Sequence, residues 1–200
     1  MANDIVIIDT GCCNLTSLKA ALVRLDVPVT VTTDAKRILA ADRVFLPGVG
    51  SAGAAMAALK ERNLIETVKS LTQPVLGICL GMQVLGAKSE ESGGIETLKI
   101  MDTTVKQLQT NGLILPHMGW NNVEVTEPTG LFEGLDGEYF YFVHSFAMDE
   151  KPFTIARCEY GQRFSAAVRC KNFFGVQFHP ERSGKAGAKL LMNFVNGAAL

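Results

Sequence analysis

Residues Val75–Gln83 read Val-Leu-Gly-Ile-Cys-Leu-Gly-Met-Gln, an apolar stretch that ends in Gly-x-Cys-x-Gly. The pattern predicts a buried strand that turns sharply into a helix at Cys79. Gly77 and Gly81 stand two residues to either side, where a Cβ would crowd the neighbouring chain. Such an elbow pushes the central side chain outwards and aims the free N–H groups of the new helix at whatever reacts there. The same geometry with serine defines one large hydrolase class. With cysteine, the nucleophile gains from thiolate stabilisation at a helix N-terminus.

The segments before the elbow alternate between strand and helix. Ile5–Ile8 is a continuous apolar run, as in a buried parallel strand. Asn14 can cap a helix over about Leu15–Leu25, with Leu15, Leu18, Leu22 and Leu25 on one face. Val27–Thr32 and Arg43–Leu46 read as strands, the second stopped by Pro47-Gly48-Val49-Gly50. Ser51–Arg62 and Leu64–Leu71 read as helix, and Gln73–Ile78 is the strand that feeds the elbow. This rhythm predicts an α/β fold, an open and mostly parallel sheet flanked by helices. The second half is richer in short strands: Gly112–Leu115, Asn122–Val125, Tyr139–Val143, Phe153–Glu159, Phe164–Arg169 and Phe173–Phe178. They predict an antiparallel extension, closed by a helix over about Ala186–Val195. Ser89–Gly94 reads as a mobile loop, and no linker or repeat interrupts a single domain over residues 1–200.

Composition narrows the function classes. Nineteen basic and twenty acidic side chains leave a formal charge of −1, which provides no electrostatic footprint for nucleic acid or an anionic membrane. No apolar run approaches the roughly 18–20 residues of a membrane span. Met-Ala-Asn-Asp leads straight into a strand, so no signal peptide is expected. Five cysteines without Cys-x-x-Cys spacing fit reduced thiols in the cytoplasm. No phosphate loop or dinucleotide motif points to a cofactor.

A nucleophilic cysteine needs a base, and the base needs an orienting group. Of His117, His144 and His179, the last sits in Phe178-His179-Pro180-Glu181 directly after an apolar strand. Residues two apart in extended chain share a side, so Glu181 can take the Nδ1 proton of His179 and leave Nε2 for the thiol. His-x-Glu could also ligate a metal, but no further ligand cluster accompanies it. For the oxyanion, the Leu80 N–H is one candidate donor. The Pro47–Gly50 loop follows a neighbouring strand at the same sheet edge and is either a second donor or an ordinary turn. Cys158 and Cys170 read as small buried hydrophobes. Cys12 and Cys13 read as turn residues, and His117 as structural.

Gly77-Ile-Cys-Leu-Gly-Met-Gln83 together with Phe178-His-Pro-Glu181 resembles the class I (triad) glutamine amidotransferases. Within that family Leu46-Pro-Gly-Val-Gly50, Leu115-Pro-His-Met-Gly-Trp-Asn121 and Tyr139-Phe-Tyr-Phe-Val-His-Ser145 resemble the glutaminase subunits of imidazole glycerol phosphate synthases, in histidine biosynthesis. The resemblance covers essentially the whole chain. It implies a flavodoxin-like fold and a Cys79–His179–Glu181 triad that hydrolyses glutamine through a thioester on Cys79. It implies that Gln83, Gly50, Ser145 and Phe146 hold the substrate, and that the Gly48–Val49 peptide completes the oxyanion hole. The implied partner is a (β/α)8-barrel cyclase subunit that receives the ammonia, with Asn14, Trp120 and Arg182 near the shared interface. Trp120 is expected in a Gly-Trp-Asn turn. Two departures stand out: Cys13 where relatives usually carry glycine, and Phe146 in place of a frequent tyrosine. The competing readings are an amidotransferase serving another synthase, a free-standing γ-glutamyl hydrolase, and a non-catalytic binding module.

Overall fold

The computed structural model describes residues 4–11 and 15–197; Cys12, Cys13 and Asn14 therefore lie outside the described residues. The first half alternates as the apolar pattern requires. It runs β1 (Ile5–Ile8), α1 (Leu15–Arg24), β2 (Thr30–Thr32), α2 (Ala35–Ala40), β3 (Arg43–Gly48), α3 (Ala52–Glu61), α4 (Ile65–Lys69), β4 (Val75–Cys79) and α5 (Leu80–Gln83). The short helix α2 was not anticipated. Its signal is Asp34, whose carboxylate accepts the Lys36 N–H at 2.9 Å and caps the first turn.

The second half comprises β5 (Lys88–Ser89), β6 (Ile95–Glu96), β7 (Thr104–Gln107), β8 (His117–Asn122), β9 (Glu124–Val125), β10 (Tyr139–His144), β11 (Phe146–Met148), β12 (Thr154–Tyr160), β13 (Gln162–Cys170), β14 (Phe173–Val176) and α6 (Gly184–Asn196). The main sheet has eight strands in the order β2-β1-β3-β4-β14-β13-β12-β9. β2, β1, β3, β4 and β14 pair in parallel. From β14 onwards the pairing is antiparallel, which is the expected extension. A β8–β10 ribbon and a small sheet β11-β7-β5-β6 complete the fold.

Alternate residues of the buried strands feed two cores. Ile5 and Ile7 pack with Leu18 and Leu22 of α1 and with Leu190 and Phe194 of α6. Val6 and Ile8 pack on the opposite face with Ile38 of α2, Leu59 of α3 and Val68 of α4. Helices thus cover both faces of the parallel sheet, and side chains on both sides of each central strand leave water. The ribbon is amphipathic: Phe140, Phe142 and His144 of β10 point inwards, and Phe140 stacks on Phe178 with ring centroids 4.1 Å apart.

Two local expectations are corrected. Gly112–Leu115 is not a strand. Asn111 and Gly112 take left-handed backbone with φ of 52° and 96°, which turns the chain, and Ile114 stands 80% exposed. An apolar run with no strand beside it makes no ladder, and pairing begins only after Pro116. Trp120 lies in strand β8 opposite Tyr141 rather than in a turn. Among the described residues, no helix is long and apolar enough to cross a membrane.

Candidate active site

The elbow is formed as its glycines require. Cys79 ends β4 at φ 54° and ψ −111°, a combination that L-residues rarely occupy and that holds the side chain clear of the sheet edge. A Cβ on Gly77 would stand 2.6 Å from the Gly81 carbonyl oxygen, and one on Gly81 would enter the Leu46 carbonyl oxygen of β3. A Cβ on Gly48 would meet the Gly81 nitrogen at 2.8 Å. The Pro47–Gly50 loop and the elbow are therefore in backbone contact, as two adjacent parallel strands ending at one edge permit. Gly50 takes φ 90° with open space where a Cβ would lie.

His179 follows β14, the other parallel neighbour of β4. Its Nδ1 lies 2.8 Å from Glu181 Oε1, whose side chain is fully buried. Pro180 starts a single 3-10 turn that folds Glu181 back beside the ring. The His179 N–H donates to the Tyr141 carbonyl at 2.9 Å. Ser183 closes the unit: its hydroxyl donates to the His179 carbonyl at 2.7 Å and accepts the Tyr141 N–H at 3.0 Å. Ser183→Ala removes both bonds from a buried site. Its expected cost is about 1–3 kcal/mol, read as a lower urea midpoint together with a fall in activity as His179 loosens.

The imidazole of His179 is the group whose protonation the site controls most clearly. Burial alone would lower its pKa, but hydrogen bonds with Cys79 and Glu181, together with their charges, prevail and raise it to about 10. His144 goes the other way: burial pushes it down to about 3, helped by the neighbouring His117 and His179. The two rings are thus separated into a proton carrier next to the thiol and a neutral histidine behind it, a division of labour typical of catalytic sites.

A cavity of about 520 Å³ opens at this edge, lined by Val49, Gly50, Cys79, Leu80, Gln83, Ser145, Phe146, His179 and Arg182. Nine residues singled out from the sequence therefore surround one space. Gly48 lines a smaller cavity on the far side of Val49, and Glu181 sits behind His179. Gln83 points its amide nitrogen to the Phe146 carbonyl, 2.8 Å, and to Gln177 Oε1, 3.0 Å. Trp120 stands apart from the cavity, 53% exposed on the outer face of the ribbon. Arg182 is exposed at the cavity mouth. Asn14 lies outside the described residues.

Ser17, Glu91, Pro116, Val143 and His144 also line the cavity and were not singled out. Glu91 is the consequential one. The stretch read as a mobile loop carries a short 3-10 turn, and its Glu91 Oε2 accepts the Ala52 N–H at 2.6 Å. A carboxylate is thereby fixed at the cavity wall. The signal was a run of acidic residues next to paired glycines, which resembles any solvated loop. His117, read as structural, is buried and bridges Asn121 and His144.

A thiol on an elbow, a histidine oriented by a carboxylate and backbone N–H groups at a helix start together constitute the equipment for acyl transfer from an amide. The chain belongs to the class I glutamine amidotransferases: the family described as "Glutamine amidotransferase class-I" matches residues 6–198. Its relatives within that class include HisH subunits. It is 56% identical to the imidazole glycerol phosphate synthase subunit HisH of Vibrio cholerae, over 98% of this chain and 99% of that protein. It is also 56% identical to the HisH subunit of Escherichia coli K12, over 96% and 98%. In fold it is similar to a putative GMP synthase subunit from Thermoplasma acidophilum, TM-score 0.76 at 19% identity, covering 98% of this chain and 94% of that one. PurLQS from Thermotoga maritima superposes with TM-score 0.73 at 19% identity, covering 98% and 99%.

Proposed function

We propose that this chain is the glutaminase subunit of an imidazole glycerol phosphate synthase and that Cys79, His179 and Glu181 carry out the hydrolysis. The observation that carries the proposal is the Cys79–His179–Glu181 arrangement at the mouth of a cavity large enough for glutamine, in a chain 56% identical to HisH subunits.

In this reading the sulfur of Cys79 attacks the carboxamide carbon of glutamine. The resulting oxyanion is held by the Leu80 N–H and by the Gly48–Val49 peptide. His179, cationic beside the sulfur, gives its Nε2 proton to the departing nitrogen, and ammonia leaves as the thioester forms. His179 then takes a proton from water, the hydroxide adds to the thioester carbon, and glutamate departs as the sulfur is released. Glu181 holds the ring in one orientation and balances its charge. Gln83, Gly50, Ser145 and Phe146 line the substrate's path, and the fixed carboxylate of Glu91 suits the α-ammonium of an amino acid.

The partner we propose is a (β/α)8-barrel cyclase subunit. It would meet the ribbon face bearing Trp120, an exposed aromatic of the kind that anchors interfaces, together with Arg182 and Asn14. Ammonia in open water is protonated and lost, so hydrolysis is best coupled to a loaded partner. Gly50, with its left-handed backbone and open surroundings, leaves room after the Gly48–Val49 peptide, which suits a donor completed on demand. Free thiols at Cys79, Cys158 and Cys170 fit a reducing cytoplasm.

Labelling with a glutamine-like diazoketone tests the reading. Mass spectrometry is expected to find the adduct on the Cys79 peptide, with glutamine protecting it. Full inhibition with the adduct on another residue would overturn it.

A further inference from the structure

The nucleophile has a polar contact that the triad does not account for. Gln177, between β14 and His179, is fully buried and the only polar side chain in the run Phe173–Phe178. Its Nε2 donates to Cys79 Sγ at 3.7 Å, and its Oε1 accepts from Gln83 Nε2 at 3.0 Å.

The direction of these bonds is fixed by a backbone atom. The Phe146 carbonyl can only accept, so the group of Gln83 that meets it at 2.8 Å is the NH2. The second hydrogen of that NH2 demands an acceptor from Gln177. Gln177 must therefore present Oε1 to Gln83 and its own NH2 to sulfur. A flipped amide would oppose two donors in a dry site. The Phe146 carbonyl is itself held by the Nδ1–H of His144 at 2.9 Å. His144 Nε2 lies 3.0 Å from His117 Nδ1, and the His117 ring is stacked on Tyr160 at 4.0 Å. The bonds converge on the Phe146 carbonyl from both sides, and from Gln83 onwards each is donated towards the sulfur, so the network ends with a donor at Sγ.

We infer that Gln177 is a positioning residue for Cys79: its locked amide aims an N–H at Sγ, favouring the electron-rich sulfur during attack and again when sulfur leaves the second tetrahedral intermediate. This rests on Cys79 being the nucleophile, as proposed above.

The test uses the complex with the cyclase subunit. Alkylation of Cys79 by iodoacetamide is followed by peptide mass spectrometry across pH, and glutamine kinetics are measured alongside. For Gln177→Leu, alkylation at neutral pH and kcat should each fall about tenfold to a hundredfold, the range for losing a hydrogen bond to a charged group. The alkylation profile should move to higher pH, and kcat should fall by a larger factor than KM rises, because the lost bond to sulfur acts on the chemical step. A Gln177→Leu protein that is folded and has the wild-type alkylation profile and kcat would overturn the inference. Should that variant not fold, Gln177→Met, closer in shape, gives the same readouts. A shifted alkylation profile for Gln177→Leu, with a wild-type complex that hydrolyses no glutamine, would leave the role of Gln177 standing and remove the glutaminase reading instead.

Discussion

Cys79→Ala is expected to lower glutamate release by the activated complex about ten-thousandfold or more, the scale seen when the nucleophile of a catalytic triad is removed. The loss should fall on kcat, because the cavity walls that hold the substrate remain in place. The same position separates chemistry from strain. Cys79 is held at φ 54° and ψ −111°, a conformation worth of order 1–3 kcal/mol of strain in a residue with a Cβ. Alanine keeps that strain and glycine relieves it. Cys79→Gly should therefore be as inactive as Cys79→Ala, yet unfold at a higher urea concentration. If the alanine variant were the more stable of the two, the elbow would not be strained, and the geometry would have another cause.

Gly81→Ala carries the largest expected effect on the fold. The added methyl would enter the Leu46 carbonyl oxygen, which belongs to the backbone of the central strand β3. No rotamer can relieve that overlap, so β3 and α5 must separate. A loss of about 4 kcal/mol or more is expected, at the upper end for single substitutions. That is a large share of the stability of an ordinary domain. Gly53→Ala is the control within the same region. It lies in α3, with no atom within 4 Å of the added carbon, and should raise stability by about 0.5–1 kcal/mol through the unfolded chain. Urea midpoints of the two variants, measured side by side, decide whether close packing at the elbow sets the difference.

Much of the site could be read from the sequence because its chemistry is local. A glycine two residues on either side of Cys79 forces an elbow, and His-Pro-Glu places a carboxylate beside an imidazole, whatever surrounds them. Strand β1 was legible to the residue because four buried apolar side chains in a row have few other uses. What escaped depends on distant partners. Strands β5 and β6 are two residues long, too short to show a period. Glu91 reaches the cavity only because that small sheet folds over the start of α3. Trp120 looked like a turn residue beside Gly119, and only pairing with β10 makes it part of a strand. Gln177 was hidden inside an apolar run. A lone buried amide at the end of a strand was the available sign that something there needed a donor.

The measurement that bears most directly on the account is glutamate release from glutamine by the purified chain, first alone and then with the cyclase subunit plus its nucleotide substrate. Near silence alone and strong activation in the loaded complex are expected, because in the proposed mechanism the second oxyanion donor is completed only there. Equal rates in the two conditions would contradict it and point to a free-standing hydrolase.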